Sequence, residues 1–243
     1  MISKNQIKFI KQLELKKYRK RENLFVAEGH KVVGDLLSCG FEPHTLFATN
    51  EWKAPQDVRF QEVTEEELCK ISFLQHPQQV LGIFHMPATE AAAIQDQLVL
   101  ALDGVQDPGN LGTIIRIADW FGISDIFCSL DTADAWNPKV IQATMGSIAR
   151  VRITYTDLAS LIKEAKVPVY GTLLDGENIY QQELSQNGII VMGNEGNGIS
   201  AEIRQLITNK LLIPDFNSSD SHAESLNVAI ATAITCSEFK RRG

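Results

Sequence analysis

The sequence has few cysteines, and they stand far apart. Cys39, Cys69, Cys128 and Cys236 form no CxxC pair, which argues against a disulfide scaffold and a clustered zinc site. Glycine (16) and proline (8) are also scarce among the 243 residues, which excludes collagen-like and low-complexity chains. No apolar run reaches the roughly 18 residues that span a bilayer, and no signal-type segment opens the chain. We therefore expect a cytoplasmic protein with no membrane partner and no metal.

Basic residues are in the minority, except at the start of the chain. The net charge is −7. Residues 1–31 hold nine lysines and arginines against three acids, a net charge of +6, so the remaining 212 residues carry −13. A basic arm on an acidic body predicts a polyanionic partner held at one end, and a solvated helix face is the alternative. The densest part of this arm is Lys16, Lys17, Arg19, Lys20 and Arg21.

The pattern of apolar residues predicts two α/β domains. Residues 1–86 alternate strand and helix, and Thr64 with Glu67 forms a capping box at one helix start. Residues 87–96 contain one proline among small residues without apolar periodicity, which is typical of a linker. Residues 97–243 alternate apolar runs with helices, which favours a parallel sheet covered on both faces. The runs are Gln97–Asp103, Asp125–Cys128, Pro168–Leu173, Gly188–Met192 and Lys210–Ile213.

Three polar or glycine-rich segments follow these runs, where open α/β sheets hold their ligands. In the first, a Gly/Pro-rich loop carries Asn110, and Arg116 follows six residues later near the first turn of a helix predicted over Thr113–Phe121. The planar fork of an arginine suits a phosphate or a carboxylate. The alternative for Arg116 is a buried stem with an exposed head.

The second segment has glycines at Gly193, Gly196 and Gly198. This spacing is not GxGxxG, so an ordinary dinucleotide site is poorly supported. Glu195 lies inside the segment, where a simple turn needs no acid, and Ser200 suits the cap of the next helix.

The third segment runs from Ile213-Pro214 through a polar loop to a long apolar helix predicted to begin at Glu224. Ser225 and Asn227 would lie on its first turn. Backbone N–H groups at a helix start suit anions and carboxylates.

In their order and spacing, the three segments resemble the motifs of the SpoU (TrmH-like) family of RNA ribose 2′-O-methyltransferases, part of the SPOUT superfamily. Residues 110–116 are similar to the first motif, residues 193–198 to the second, and Ile213-Pro214 with residues 225–227 to the third. The loop 215–223 departs from the family because it is longer, acidic and free of glycine. Residues 1–86, with the stretch 19–29, are more loosely similar to the family's small substrate-binding domain.

The resemblance implies a parallel α/β sheet with a C-terminal trefoil knot, a homodimer, and S-adenosyl-L-methionine as the cofactor. It implies structured RNA as the substrate, with ribosomal RNA favoured over transfer RNA. Roles in catalysis are implied for Arg116, Asn110, Glu195, Ser225 and Asn227. Cofactor contacts are implied for Thr172, Leu173, Gly193, Asn194, Gly198, Ile213, Leu226 and Asn227.

Within that implied site, Glu195 would hold Arg116 or a partner subunit. Arg116 would stabilise the developing alkoxide or fix a phosphate that relays the proton, because a guanidinium stays protonated and is a poor general base. The basic arm would bind RNA phosphates, and Tyr18 and Phe25 could stack on bases, with core packing as the alternative for Phe25.

Two other functions stay open: a non-catalytic RNA-binding factor, and an enzyme that uses a nucleotide and acts on small molecules.

Overall fold

The computed structural model describes residues 1–88, 94–217 and 224–242. Their helices are α1 (Lys4–Gln12), α2 (Lys16–Glu22), α3 (His30–Ser38), α4 (Glu65–Ile71), α5 (Pro108–Trp120), α6 (Pro138–Ala143), α7 (Leu158–Ala165), α8 (Ala201–Arg204) and α9 (Val228–Arg241). Their strands are β1 (Leu24–Glu28), β2 (Pro43–Ala48), β3 (Gln61–Glu62), β4 (Val80–His85), β5 (Leu98–Asp103), β6 (Asp125–Cys128), β7 (Arg152–Tyr155), β8 (Val169–Asn178), β9 (Gly188–Gly193) and β10 (Asn209–Leu212). None of these helices combines the length and the apolar character that a membrane crossing requires.

The first of two compact units joins Met1–Ala88 with Asp134–Arg150. Its sheet has the strand order β1-β4-β2-β3, with β4 antiparallel to both β1 and β2. Apolar side chains of these strands pack with those of α1 and α4, and the predicted capping box at the start of α4 is confirmed. Phe25 is fully buried, and its ring centroid lies 4.7 Å from that of Trp136. The core role of Phe25 is therefore confirmed, and its ring is not available to an RNA base.

A segment from far along the chain, residues 134–150, completes this first unit. Asp134 forms an ion pair with the buried Arg19, and Arg150 Nη1 lies 3.3 Å from Asp35 Oδ2. Helix α6, inside the segment, packs on β1. The sequential division into domains 1–86 and 97–243 did not anticipate this arrangement, since contacts between distant residues leave no local pattern in a sequence.

The second unit joins Thr89–Ala133 with Val151–Gly243. Its sheet has the strand order β10-β8-β9-β5-β6-β7, and every neighbouring pair is parallel. In the middle, β5 runs beside β9 with Asp103 opposite Gly193. All of β9 and most of β5 are buried, as expected for strands covered on both faces. The predicted parallel α/β sheet is confirmed, and the C-terminal knot stays a prediction.

Strand positions agree with the sequence patterns more closely than helix starts do. Helix α5 begins at Pro108 because Asp107 Oδ1 accepts a hydrogen bond from Asn110 N at 2.8 Å. The predicted start at Thr113 was therefore too late. Of the predicted linker 87–96, residues 89–93 lie outside the described part of the chain.

Candidate functional site

A cavity of about 860 Å³ lies in the second unit, where the middle of β8 and the loops after β9 and β10 meet the starts of α5 and α9. Open α/β sheets bind ligands at this edge, beyond the carboxyl ends of the strands. The volume is within the range of small-molecule and cofactor sites. Its lining includes Asn110, the residues 172–175, 192–199, 211–213 and 224–228, and Arg204.

The loop that follows β9 is closed on itself. Asn194 N donates to Gly198 O and Gly198 N donates to Asn194 O, both at 2.9 Å. Asn194 Oδ1 accepts from the amides of Gly196 and Asn197, also at 2.9 Å. A Cβ on Gly193 would lie 2.3 Å from the carbonyl carbon of Gly198. The loop can therefore close this tightly only with glycine at position 193.

Glu195 ties this loop to the loop before α5. Its Oε2 accepts from Gln106 N at 3.1 Å, and its Oε1 accepts from Asp107 N at 3.0 Å and from Asn110 Nδ2 at 3.1 Å. Burial opposes ionisation of this carboxyl, but the three hydrogen bonds outweigh it and lower its pKa. Glu195 is thus a carboxylate at neutral pH that holds backbone amides and Asn110. The described contacts do not show the predicted contact of Glu195 with Arg116.

Asn227 links the start of α9 to the same cluster. Its Nδ2 donates to Asn110 Oδ1 at 2.9 Å, and its Oδ1 accepts from Ala229 N at 2.9 Å. Because this cap begins the helix at Val228, the predicted helix start at Glu224 was wrong. Asn227 is the N-cap, and Ser225 lies before the helix rather than on its first turn.

The structure brings together most of the residues selected from the sequence. Every residue assigned to the cofactor by the family resemblance lines the cavity, as do Asn110, Glu195, Ser225 and Asn227. Arg116 does not line it. Its side chain is exposed on α5, in the third turn and about 9 Å along the helix axis from Asn110.

Two acids on the strands of the second unit were missed. Asp103, the last residue of β5, accepts a hydrogen bond from Ser200 N at 2.6 Å through its Oδ2. It thereby fixes the far end of the loop after β9. Ser200 is the N-cap residue of α8, as predicted, but its side chain makes no capping hydrogen bond. An acid directly after a buried apolar run was the available signal.

Asp175, the second missed acid, lies at the cavity wall. Its Oδ2 is 2.5 Å from Arg204 Nη2 and 3.1 Å from Lys210 Nζ. The hydrogen bonds from Lys210 and Arg204 lower the pKa of this carboxyl. Asp175 is therefore an ionised carboxylate at the cavity wall, held in place by two cations.

The basic arm in the first unit keeps most of its charge at the surface. Lys16, Lys17, Lys20 and Arg21 are exposed. Lys17 Nζ and Arg21 Cζ each lie 4.9 Å from the centre of the Tyr18 ring. Arg19 must be removed from the predicted RNA contacts, since it is 1% exposed, pairs with Asp134 and donates to the carbonyl oxygens of Leu13 and Glu14.

The cavity thus combines a tight glycine loop, apolar walls and a cluster of amides and a carboxylate on an α/β scaffold. This combination is typical of an enzyme that binds a cofactor along backbone groups and orients a polar substrate beside it. Within the described part of the chain, no three His, Cys, Asp or Glu side chains come together as metal ligands would.

Comparison with known proteins defines the family. Residues 97–237 match the model of the SpoU rRNA methylase family, and residues 4–82 match the MRM3-like substrate binding domain. The chain belongs to the SpoU rRNA methylase family.

Relatives and solved structures agree with this assignment. The chain is 34% identical to the 23S rRNA (guanosine(2553)-2′-O)-methyltransferase RlmP of Bacillus subtilis, over 96% of this chain and 95% of that protein. A solved TrmH-family structure from Porphyromonas gingivalis is 42% identical with a TM-score of 0.90, covering both chains completely. The AdoMet-bound rRNA methyltransferase from Sinorhizobium meliloti is 32% identical with a TM-score of 0.87, covering 100% of this chain and 97% of the other.

Proposed function

We propose that this protein transfers the methyl group of S-adenosyl-L-methionine to a ribose 2′-hydroxyl of ribosomal RNA. The observation that carries the proposal is the hydrogen-bonded cluster of Asn110, Glu195 and Asn227 at the cavity formed by the glycine loop. Similarity to 23S rRNA 2′-O-methyltransferases over the whole chain supports the ribose and the ribosomal RNA.

The residues of the cavity fit this cofactor. The close approach of Gly193 to Gly198 leaves backbone N–H and C=O groups, rather than side chains, at the wall. Thr172, Leu173 and Leu226 add apolar surface suited to adenine and the methionine chain. When bound, S-adenosyl-L-methionine supplies an electrophilic methyl carbon on a sulfonium.

The polar cluster orients the attacking oxygen. Asn110 Oδ1 accepts from Asn227, and its Nδ2 donates to Glu195, so both ends of this amide are fixed before RNA arrives. A preset amide holds the ribose hydroxyl on one line of attack. Ser225 lines the same cavity and completes the substrate contacts.

Arg116 contacts the RNA outside the cavity walls. Its exposed guanidinium offers a bidentate grip on a phosphate, and a guanidinium has no lone pair free to act as a general base. A phosphate held there relays the proton of the ribose hydroxyl to water as the oxygen attacks. The exposed cations of α2 hold further phosphates in a salt-dependent way.

The active form is a homodimer in the cytoplasm. Helices α5 and α9 pack on one another and leave large apolar side chains in water. Trp120 is 84% exposed and Ile230 is 52% exposed. Large exposed apolar side chains on packed helices are typical of protein interfaces.

Mapping ribose methylation across ribosomal RNA from cells with and without this protein tests the function. One site should lose its methyl group, and the purified wild-type protein should restore it from labelled cofactor. Arg116→Ala should lose most of the transfer while it binds S-adenosyl-L-methionine normally, and Lys163→Ala, on the exposed face of α7, should match wild type. Unchanged methylation maps in cells without the protein would refute the function.

A further inference from the structure

The carboxyl end of β5 is bonded to both ends of the glycine loop, residues 193–198. At the near end of the loop, Asn194 Nδ2 donates a hydrogen bond to Gly104 O at 2.7 Å. At the far end, Ser200 N donates to Asp103 Oδ2 at 2.6 Å. Two consecutive residues, the last of β5 and the next one, therefore hold the loop where it leaves β9 and where it enters α8.

The backbone of Gly104 is in a conformation that favours glycine. Its φ of +74° lies in the left-handed region, which a residue without a Cβ adopts at no steric cost. A Cβ built on Gly104 would lie 3.2 Å from Asp131 Oδ2 and 3.7 Å from Asn194 Cβ. Gly104 therefore separates Asn194 from the loop that follows β6, and that loop reaches the glycine loop through this one residue.

Ser129, the first residue after β6, fixes the position of Gly104. Its half-buried Oγ accepts a hydrogen bond from Gly104 N at 2.9 Å and donates to Asp131 Oδ1 at 2.6 Å. Thr132 Oγ1 lies 2.9 Å from the same Oγ and donates to Leu102 O at 3.0 Å. The hydroxyl of Ser129 is thus held by several partners, and it presents its oxygen to the Gly104 amide in one direction.

Asp103 and Ser129 act on the cavity only through the glycine loop. Among the described residues, Asn194 and Gly198 line the cavity, whereas Asp103 and Ser129 do not. A binding loop that is already fixed in its bound shape loses less conformational entropy when the ligand arrives, and it therefore binds the ligand more tightly. The bonds made by Asp103 and Ser129 are of the kind that fix such a loop.

We propose that Asp103 and Ser129 are positioning residues that set the affinity for S-adenosyl-L-methionine, an inference that rests on the proposed function. Asp103 holds one end of the glycine loop directly, and Ser129 holds the other end through Gly104 and Asn194. Glu195 keeps its own three hydrogen bonds to the start of α5 and the loop before it. Loss of either positioning residue should therefore weaken cofactor binding more than it slows the methyl transfer.

Calorimetric titration of the full chain with S-adenosyl-L-methionine tests the role of Asp103. Asp103→Ala removes the acceptor for Ser200 N and should raise the Kd by about tenfold, the loss of one hydrogen bond to a charged group. Asp103→Asn keeps an oxygen at the same place and should recover most of the affinity. Glu202→Ala changes an exposed acid two residues beyond Ser200 and should bind as wild type.

The role of Ser129 is tested by a second pair of variants. Ser129→Ala removes the acceptor for Gly104 N and should raise the Kd about three- to tenfold, whereas Ser129→Thr keeps the hydroxyl and should stay closer to wild type. In both alanine variants the KM for the cofactor should rise while kcat at saturating cofactor stays within about twofold of wild type.

Two results would overturn the inference. One is a wild-type Kd in folded Asp103→Ala and Ser129→Ala, and the other is an equal Kd in each alanine variant and its conservative partner. If Asp103→Ala does not fold, the Ser129 pair decides by the same comparison. If the Kd values shift as expected but wild type transfers no methyl group to RNA, the proposed function fails instead, so the two failures are distinguishable.

Discussion

Substitution of Gly193 by alanine tests whether the glycine loop forms the cofactor site. The added Cβ would lie 2.3 Å from the carbonyl carbon of Gly198 and 2.4 Å from Ile199 N. Both are backbone atoms, so no side chain can rotate away. Because carbon atoms normally stay about 3.5–4.0 Å apart, the loop must shift by more than about 1 Å.

The cost of that shift follows from the bonds that close the loop. Overpacking of a well-packed site costs about 1–3 kcal/mol. A shift also breaks the paired bonds between Asn194 and Gly198, each 2.9 Å long. Since 1.4 kcal/mol corresponds to about a factor of ten in affinity, Gly193→Ala should raise the Kd for S-adenosyl-L-methionine by about ten- to a hundredfold.

Gly196→Ala is the matched control for this prediction. It lies in the same loop, but its Cβ would come no closer than 3.7 Å to another group, the Oδ1 of Asn194. Calorimetric titration with the cofactor should give a wild-type Kd for Gly196→Ala and a strongly raised Kd for Gly193→Ala. Equal affinities in two folded variants would show that the loop does not bind the cofactor.

Three further substitutions or conditions test the remaining contacts. Arg19→Ala leaves Asp134 without its buried partner and should lower stability by about 3 kcal/mol in calorimetry, whereas the exposed Lys20→Ala should change it by less than about 0.5 kcal/mol. Asn227→Asp keeps the cap of α9 but not the bond to Asn110, so kcat should fall while the melting temperature holds. Hydrogen bonding lowers the pKa of Glu195. The ionised carboxylate should therefore add fully to the free energy of unfolding above pH 4.5, the usual pKa, and this contribution should be lost as the pH falls through the lowered pKa. Denaturant titrations at successive pH values should show this loss in wild type but not in Glu195→Gln.

Local patterns were enough to place most of the strands and the motif loops, but β3 and β7 were not among the predicted runs. The apolar run Gln97–Asp103 became β5 over Leu98–Asp103, because buried parallel strands exclude polar side chains on both faces. The glycines at Gly193 and Gly198 marked a loop that does close on itself. Helix starts were less predictable. Several polar residues near the start of α9 can cap a helix, and the sequence does not show that Asn227 is the one whose side chain accepts the first backbone N–H groups.

The sequence by itself determined the α/β class, the positions of most strands and helices, and the three segments that carry the site. Only the tertiary structure decided which of their residues meet, because the bonds of Glu195 to Asp107 and of Asn227 to Asn110 join residues far apart in the chain. It also decided that Arg19 is buried against Asp134 while Lys20 stays in water. Local sequence does not show which of two neighbouring basic residues is buried, because burial depends on the packing of the distant segment 134–150.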